Sequence, residues 1–313
     1  MTKTTIEWAD EVWNPVTGCS KVSEGCRHCY AERVAGRFWG ERKFTDVRVH
    51  PERLEDPLHW RKPRRVFVNS MSDLFHHDVP FHFVYRVWRT AALANQHTFM
   101  ILTKRPDRML EFSHWMAGGD DISVAEWPQN VWLGVSVETQ KEADKRVPLL
   151  LETPAAVRFV SCEPLLGPVR LGEWLPSYDP TQHYARPEHE GKLDWVIAGG
   201  ESGPGARPCH PDWARGLRDA CLASNVPFFF KQWGEWLPIS EMGEEEQDHL
   251  YEPALERYPD STRECKVPCR AIGFDGGEHW HLTNGFPSFL TFQVGKKRAG
   301  RDLNGRTWEE FPR

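Results

Sequence analysis

The feature that most constrains this chain is a recurring unit: a short β-rich apolar run stops abruptly at polar or glycine residues, and a charged, helix-like stretch follows. The runs occupy residues 66–70, 98–104, 131–136, 157–161, 194–199 and 226–231, with starts 26 to 37 residues apart. That spacing is the length of a βα unit. Apolarity is continuous along each run, so both faces of each strand are buried and the strands belong in a parallel sheet covered by helices. Residues 83–96 and 211–224 carry apolar side chains at helical spacing, and Asn225 is a helix stop. A first strand within residues 6–16 brings the total to about seven. The chain therefore reads as α/β, a complete or partial TIM-like βα barrel, with an open doubly wound sheet as the alternative.

The repeat is lost after Trp236, which divides the chain into a barrel at 1–235 and a C-terminal extension at 236–313. The extension carries an acidic insertion, Glu244, Glu245 and Glu246, and a basic tail, Lys296, Lys297, Arg298, Arg301 and Arg306. The net charge of −6 excludes a protein that binds nucleic acid through bulk positive charge. Charge is uneven, however: residues 21–65 hold 12 basic and 7 acidic side chains, whereas 236–260 hold 1 and 8. No apolar run reaches the roughly 18 residues of a membrane span, and residues 1–10 lack an apolar signal core, so a cytoplasmic protein with no membrane partner is expected. Eight cysteines, three of them within eleven residues, point to metal or redox chemistry in preference to a disulfide framework. The 15 tryptophans serve either the core or the stacking of a flat ring.

The three clustered cysteines, Cys19, Cys26 and Cys29, form a C-x6-C-x2-C triplet after the first expected strand and before a helix at residues 31–38. Three thiolates on one loop suit three corners of an iron–sulfur cluster with one iron left open, or a zinc knuckle completed by His28 or a distant histidine. Gly18 and Gly25 each precede a cysteine and let the loop turn tightly.

This loop, with the barrel behind it, resembles the cluster loop of radical S-adenosylmethionine (SAM) enzymes. The whole chain resembles a phage-associated three-Cys-motif family of radical-SAM-like proteins. The resemblance rests on Asn14-Pro15-Val16-Thr17-Gly18-Cys19, Cys26-Arg27-His28-Cys29-Tyr30, Asn69-Ser70-Met71-Ser72-Asp73, Leu102-Thr103-Lys104-Arg105-Pro106, Gly199-Gly200-Glu201-Ser202-Gly203, and the tail from Gly295-Lys296-Lys297 to Gly305-Arg306. It implies a [4Fe-4S] cluster on Cys19, Cys26 and Cys29 that binds SAM and cleaves it to a 5′-deoxyadenosyl radical, with an unidentified electron donor. It implies Tyr30 near the adenine, since His28 stands where such enzymes usually carry an aromatic residue, and Gly199, Gly200 and Glu201 at the methionine end of SAM. Glycines admit close backbone approach there, and the carboxylate suits an ammonium.

Catalytic groups of barrels gather at the C-terminal ends of strands. Those ends offer Asn69, Ser70 and Asp73, then Lys104 and Arg105, Ser136 and Glu138, Ser161 and Glu163, and Lys231 with Gln232. Asn69, Ser70, Asp73 and Ser136 are expected to bind the cofactor, and Lys104, Arg105, Glu138, Glu163 and Lys231 to act on substrate. The cations suit a phosphate or carboxylate, and the carboxylates suit ribose hydroxyls or an amine. A nucleotide or nucleic-acid substrate is the expectation, with a peptide or a partner protein as rivals. The functional alternative is a zinc-stabilised nucleic-acid-binding module without redox chemistry. Weaker signals are Cys265 and Cys269 with His279 and His281 as a second metal site, the His76-His77 pair, and the isolated Cys162, Cys209 and Cys221.

Overall fold

The computed structural model describes residues 4, 6–118, 127–177, 192–253, 263–278 and 288–312. Seven strands form its central sheet: β1 (Glu11–Trp13), β2 (Arg65–Val68), β3 (Thr98–Thr103), β4 (Val131–Ser136), β5 (Arg158–Cys162), β6 (Trp195–Gly199) and β7 (Phe228–Gln232). They lie side by side in chain order, and every pairing is parallel. A doubly wound sheet needs a reversal of strand order, and the sheet has none. Right-handed crossovers between successive neighbours put the helices on one face, so the sheet curls into a partial barrel with β1 and β7 as its edges.

Strand residues alternate between two buried environments. Val66, Phe99, Leu133, Val160, Val196 and Phe228 face the helices and join the main core. Phe67, Met100, Phe159, Trp195, Ile197 and Phe229 face the hollow of the barrel. This two-sided burial is the reason the runs read as continuous apolarity. The Trp195 ring belongs to this second cluster and lies 6.4 Å from Trp8, 6.1 Å from Trp132 and 5.1 Å from Phe311.

Five helices follow from local signals: α1 (Tyr30–Phe38), α2 (Phe81–Leu93), α3 (Pro106–Ala117), α4 (Gln140–Glu152) and α5 (Pro211–Ala223). In α2, Phe83, Val84, Val87, Trp88 and Ala91 form one buried stripe. Pro106 and Pro211 open α3 and α5, where a missing amide costs nothing, and Asn225 ends the region of α5 with φ 53°.

Beyond the barrel, β8 (Trp236–Pro238), β11 (Cys269–Ile272) and β12 (Phe289–Gln293) make an antiparallel sheet in the order β8-β12-β11. The strands β9 (Tyr251–Pro253) and β10 (Arg263–Cys265) pair separately. Leu237, Met242, Leu250, Ile272 and Phe292 share the main core, so the extension packs on the barrel through common apolar contacts. The tail runs antiparallel to β7, where the Phe230 amide donates to the Trp308 carbonyl at 3.0 Å and the Glu310 amide to Phe228 at 3.2 Å, covering the exposed edge. Its cations meet internal carboxylates: Lys296 with Glu7 at 3.4 Å, Arg298 with Glu246 at 3.3 Å, Arg306 with Glu310 at 3.8 Å, and Arg301 with Glu309.

Candidate functional site

The cysteine loop is clasped by the segment after β2. The Gly18 amide donates to the Met71 carbonyl at 3.1 Å, Ser72 Oγ donates to the Val16 carbonyl at 2.8 Å, and Asn69 Oδ1 accepts the Val16 amide at 3.2 Å. Ser70 Oγ and the Asn14 side chain are 3.2 Å apart. Asn69 and Ser70, expected at the cofactor, therefore hold the loop from behind and stand outside the cavity lining.

Asp73 and Arg105 do the same beneath Cys19. Asp73 accepts from Thr103 Oγ1 at 2.7 Å and from the Lys104 amide at 3.1 Å, and pairs with Arg105 at 3.0 Å. The Arg105 guanidinium then donates to the Ser20 carbonyl and Oγ at 2.9 Å and approaches Cys19 Sγ at 3.6 Å. Burial pushes the Cys19 thiol up to about 11, Asp73 adds to the rise, and Arg105 opposes it. Arg105, expected to act on substrate, thus contacts Cys19 and Ser20 of the cysteine loop. Cys26 ends the short turn Glu24–Cys26, and Cys29 is the N-terminal cap of α1. Burial raises the Cys29 thiol as well, against the amides of Glu32 and Ala31 that favour its thiolate.

Glu138, two residues past β4, is 1% exposed and anchors the loop from the opposite side. It accepts from Ser23 Oγ, from the Gly25 amide at 3.2 Å and from Arg146 at 2.9 Å, with Lys104 Nζ at 3.5 Å. Burial opposes its ionisation, yet Lys104, Arg146 and the loop donors hold the carboxyl down to about 2. Glu138, expected among the groups that act on substrate, thus ties the cysteine loop to the end of β4.

The Gly199-Gly200-Glu201 turn has its own structural cause. A methyl on Gly200 would stand 2.0 Å from the Trp233 carbonyl oxygen, because the chains after β6 and β7 converge there. Both Glu201 oxygens accept from Arg207, at 2.6 and 2.8 Å, so the charge expected to meet the SAM ammonium is already balanced. Arg207 continues to the Glu24 carbonyl at 3.1 Å, and Arg33 of α1 donates to the Ser202 carbonyl at 3.2 Å. These contacts dock the cysteine loop onto the turn.

What remains open is a cavity of about 340 Å³ at the upper end of the barrel, within the size range of small-molecule sites. Trp8 and Phe67 line it, their rings 4.6 Å apart, and strand ends supply Lys104, Ser136, Ser161, Glu163, Glu201, Lys231 and Gln232. The loop contributes Cys29, His28 and Tyr30, whose hydroxyl donates to the Ser70 carbonyl. Two cavity residues keep an unpartnered buried polar atom, Trp8 Nε1 and Gln232 Oε1. Lys231 Nζ bonds both Glu163 oxygens, at 2.7 and 2.9 Å. Each of the cations expected to meet a phosphate, Lys104, Arg105 and Lys231, thus faces a carboxylate, that of Lys104 being shared with Arg146.

Tetrahedral zinc with Zn–S bonds near 2.3 Å holds its sulfurs about 3.8 Å apart. Among the described residues the one group of three ligands lying within 4.8 Å of one another is His76, His77 and Asp78, not the cysteine triplet. Cys19, Cys26 and Cys29 supply three free thiols on one loop, the donor type that an iron–sulfur cluster takes. His76 is buried, its Nε2 2.8 Å from Ser20 Oγ and its Nδ1 accepting the Asp78 amide at 3.2 Å, so both ring nitrogens are in use. Cys162, Cys209 and Cys221 are buried, and burial pushes the Cys209 thiol up to about 12. His279 and His281 lie outside the described residues.

Sequence reasoning missed Ser23, Arg33, Arg146 and Arg207. Ser23 lies between Cys19 and Cys26 as a spacer position, Arg33 and Arg146 sit on α1 and α4, and Arg207 follows the glycine turn, so none carried a local signal of its role. Among the described residues nine tryptophans are buried, including Trp13, Trp195 and Trp233, and of these Trp8 lines the cavity.

No curated protein matches the chain. Two solved structures of spore photoproduct lyase are similar in fold at low identity. One is a double mutant with bound AdoMet and dinucleoside spore photoproduct (12% identity, 91% of this chain and 69% of the other, TM-score 0.41). The second is a cysteine-to-serine mutant (11% identity, 84% and 69%, TM-score 0.40). Over residues 3–312 the chain matches the model of a family described as protein of unknown function, DUF5131, and it belongs to that family.

Proposed function

We propose that Cys19, Cys26 and Cys29 hold a [4Fe-4S] cluster and that the adjoining cavity binds SAM, making the chain a radical-SAM-like enzyme. The observation that carries this reading is that Cys29, on a loop tethered by Glu138, Arg105 and Arg207, lines the same cavity as the polar ends of five barrel strands. When bound, the cluster and SAM supply one-electron cleavage chemistry that protein side chains lack. The chain's own part is to bind, orient and exclude water. Trp8 and Phe67 offer a flat apolar floor, Trp8 Nε1 and Gln232 Oε1 offer a free donor and acceptor, and the Glu163–Lys231 pair offers both charges to the amino-acid end of SAM. For the substrate, the aromatic floor supports a flat, base-like group, consistent with a nucleotide. With the rim cations already matched, a phosphate would have to displace a carboxylate.

The test is anaerobic purification with iron, sulfide and zinc analysis. About four irons per chain are expected, lost in Cys26→Ala and kept in Cys221→Ala. A colourless protein with one equivalent of zinc would establish the zinc-stabilised module in its place. Calorimetry of the iron-loaded protein with SAM then tests the cavity, and absence of binding removes the enzyme reading.

A further inference from the structure

Cys265 ends β10 and Cys269 begins β11, with Lys266, Val267 and Pro268 between them. Their sulfurs are 2.6 Å apart, well inside van der Waals contact and far closer than the roughly 3.8 Å that a shared tetrahedral zinc requires. Cys265 is exposed and Cys269 half-buried, in contrast with the three core thiols Cys162, Cys209 and Cys221. The backbone holds the two together from both sides. The Lys266 amide donates to the Leu250 carbonyl at 2.8 Å, and the Gln293 amide donates to the Pro268 carbonyl at 2.9 Å. The turn is therefore tied to two separate sheets, the β9–β10 pair and the β8-β12-β11 sheet.

We infer that Cys265 and Cys269 are a redox-active dithiol that closes to a disulfide on reaction with a small disulfide oxidant such as oxidised glutathione. The accessible Cys265 loses its proton and attacks one sulfur of the oxidant, releasing one thiol. Cys269, already in contact, then loses its proton and attacks the Cys265 sulfur of the mixed disulfide, releasing the second thiol. Two S–H bonds of the protein are replaced by one S–S bond, and the two electrons and two protons leave on the reduced oxidant. The closed form would staple the β9–β10 pair to β11. That strand runs on to Arg270 and Ile272, which line a groove together with Arg207 and Glu24 of the cysteine-loop dock. This inference does not depend on the cluster or on SAM.

The experiment is equilibration of the full chain in a glutathione series, followed by acid quench, alkylation and peptide mapping. The expected result is loss of two hydrogens from the peptide joining residues 265 and 269, with a midpoint inside the series. Cys265→Ser and Cys269→Ser should each trap one glutathione on the remaining cysteine. Both thiols remaining fully alkylated in oxidised glutathione would overturn the inference. So would one zinc per chain that is lost in both variants. Iron content measured in parallel reports separately on Cys19, Cys26 and Cys29.

Discussion

Glu138 Oε1 accepts the Gly25 amide at 3.2 Å, and a methyl placed on Gly25 would stand 2.8 Å from the same carboxyl group. A strand end and a cysteine loop 113 residues apart in the chain are thus fitted with no room for one carbon. Glu138 cannot swing aside cheaply, because Arg146 and Lys104 hold its other oxygen.

Gly25→Ala should therefore cost about 1–3 kcal/mol through overpacking, and it should loosen the loop that carries Cys26. Urea denaturation together with iron content of the anaerobic protein checks this. An unchanged midpoint with full iron would show that the loop has slack.

Stability should fall with acid in two stages. His76 is lowered by burial to about 4, so below its ordinary range the unfolded chain takes up a proton that the folded chain refuses. Glu138 is depressed to about 2, so its contribution, on the order of 3 kcal/mol, is complete above pH 4.5 and is lost as pH falls from there through 2. Urea midpoints from pH 7 down to pH 3 should decline below about 6.5 and more steeply below about 4.5. A flat profile across that window contradicts both assignments.

Two glycines should respond in opposite ways. Gly200→Ala would drive a methyl into the Trp233 carbonyl and is expected to abolish soluble folded protein or cost several kcal/mol. Gly216 lies within α5, and a methyl there would meet nothing within 4 Å, so Gly216→Ala should stabilise by roughly 0.5–1 kcal/mol. Thermal melts of both variants decide the matter, and a tolerated Gly200→Ala would refute the close approach of the two turns.

Lys231→Met removes one half of the charged pair in the cavity while leaving the cysteine loop untouched. SAM affinity of the iron-loaded protein should fall by about tenfold or more, the loss of one charge-assisted contact of roughly 1.5–3 kcal/mol. Iron content should stay at the wild-type level. Equal affinity by calorimetry would remove Lys231 from the binding site.

The seven strands, the partial barrel and the position of the cysteine triplet at the end of the first strand were legible in the sequence. Each is written in local terms: a buried parallel strand needs apolar residues on both faces, a crossover needs about thirty residues, and a helix start needs a proline or a cap within one turn. Tertiary structure alone decided what the polar strand ends do. Glu138, Arg105 and Glu201 look alike as candidates at the rim, yet they became a tether, a support beneath Cys19 and the partner of Arg207. The Gly199-Gly200-Glu201 turn likewise owes its second glycine to Trp233, a residue of another strand's end. The loop partners of Glu138 and Arg105 lie 113 and 86 residues away in the chain. The physical reason is that periodicity reflects a residue's own neighbours along the chain, whereas a buried charge is matched by whichever group the closing sheet brings within about 3 Å of it.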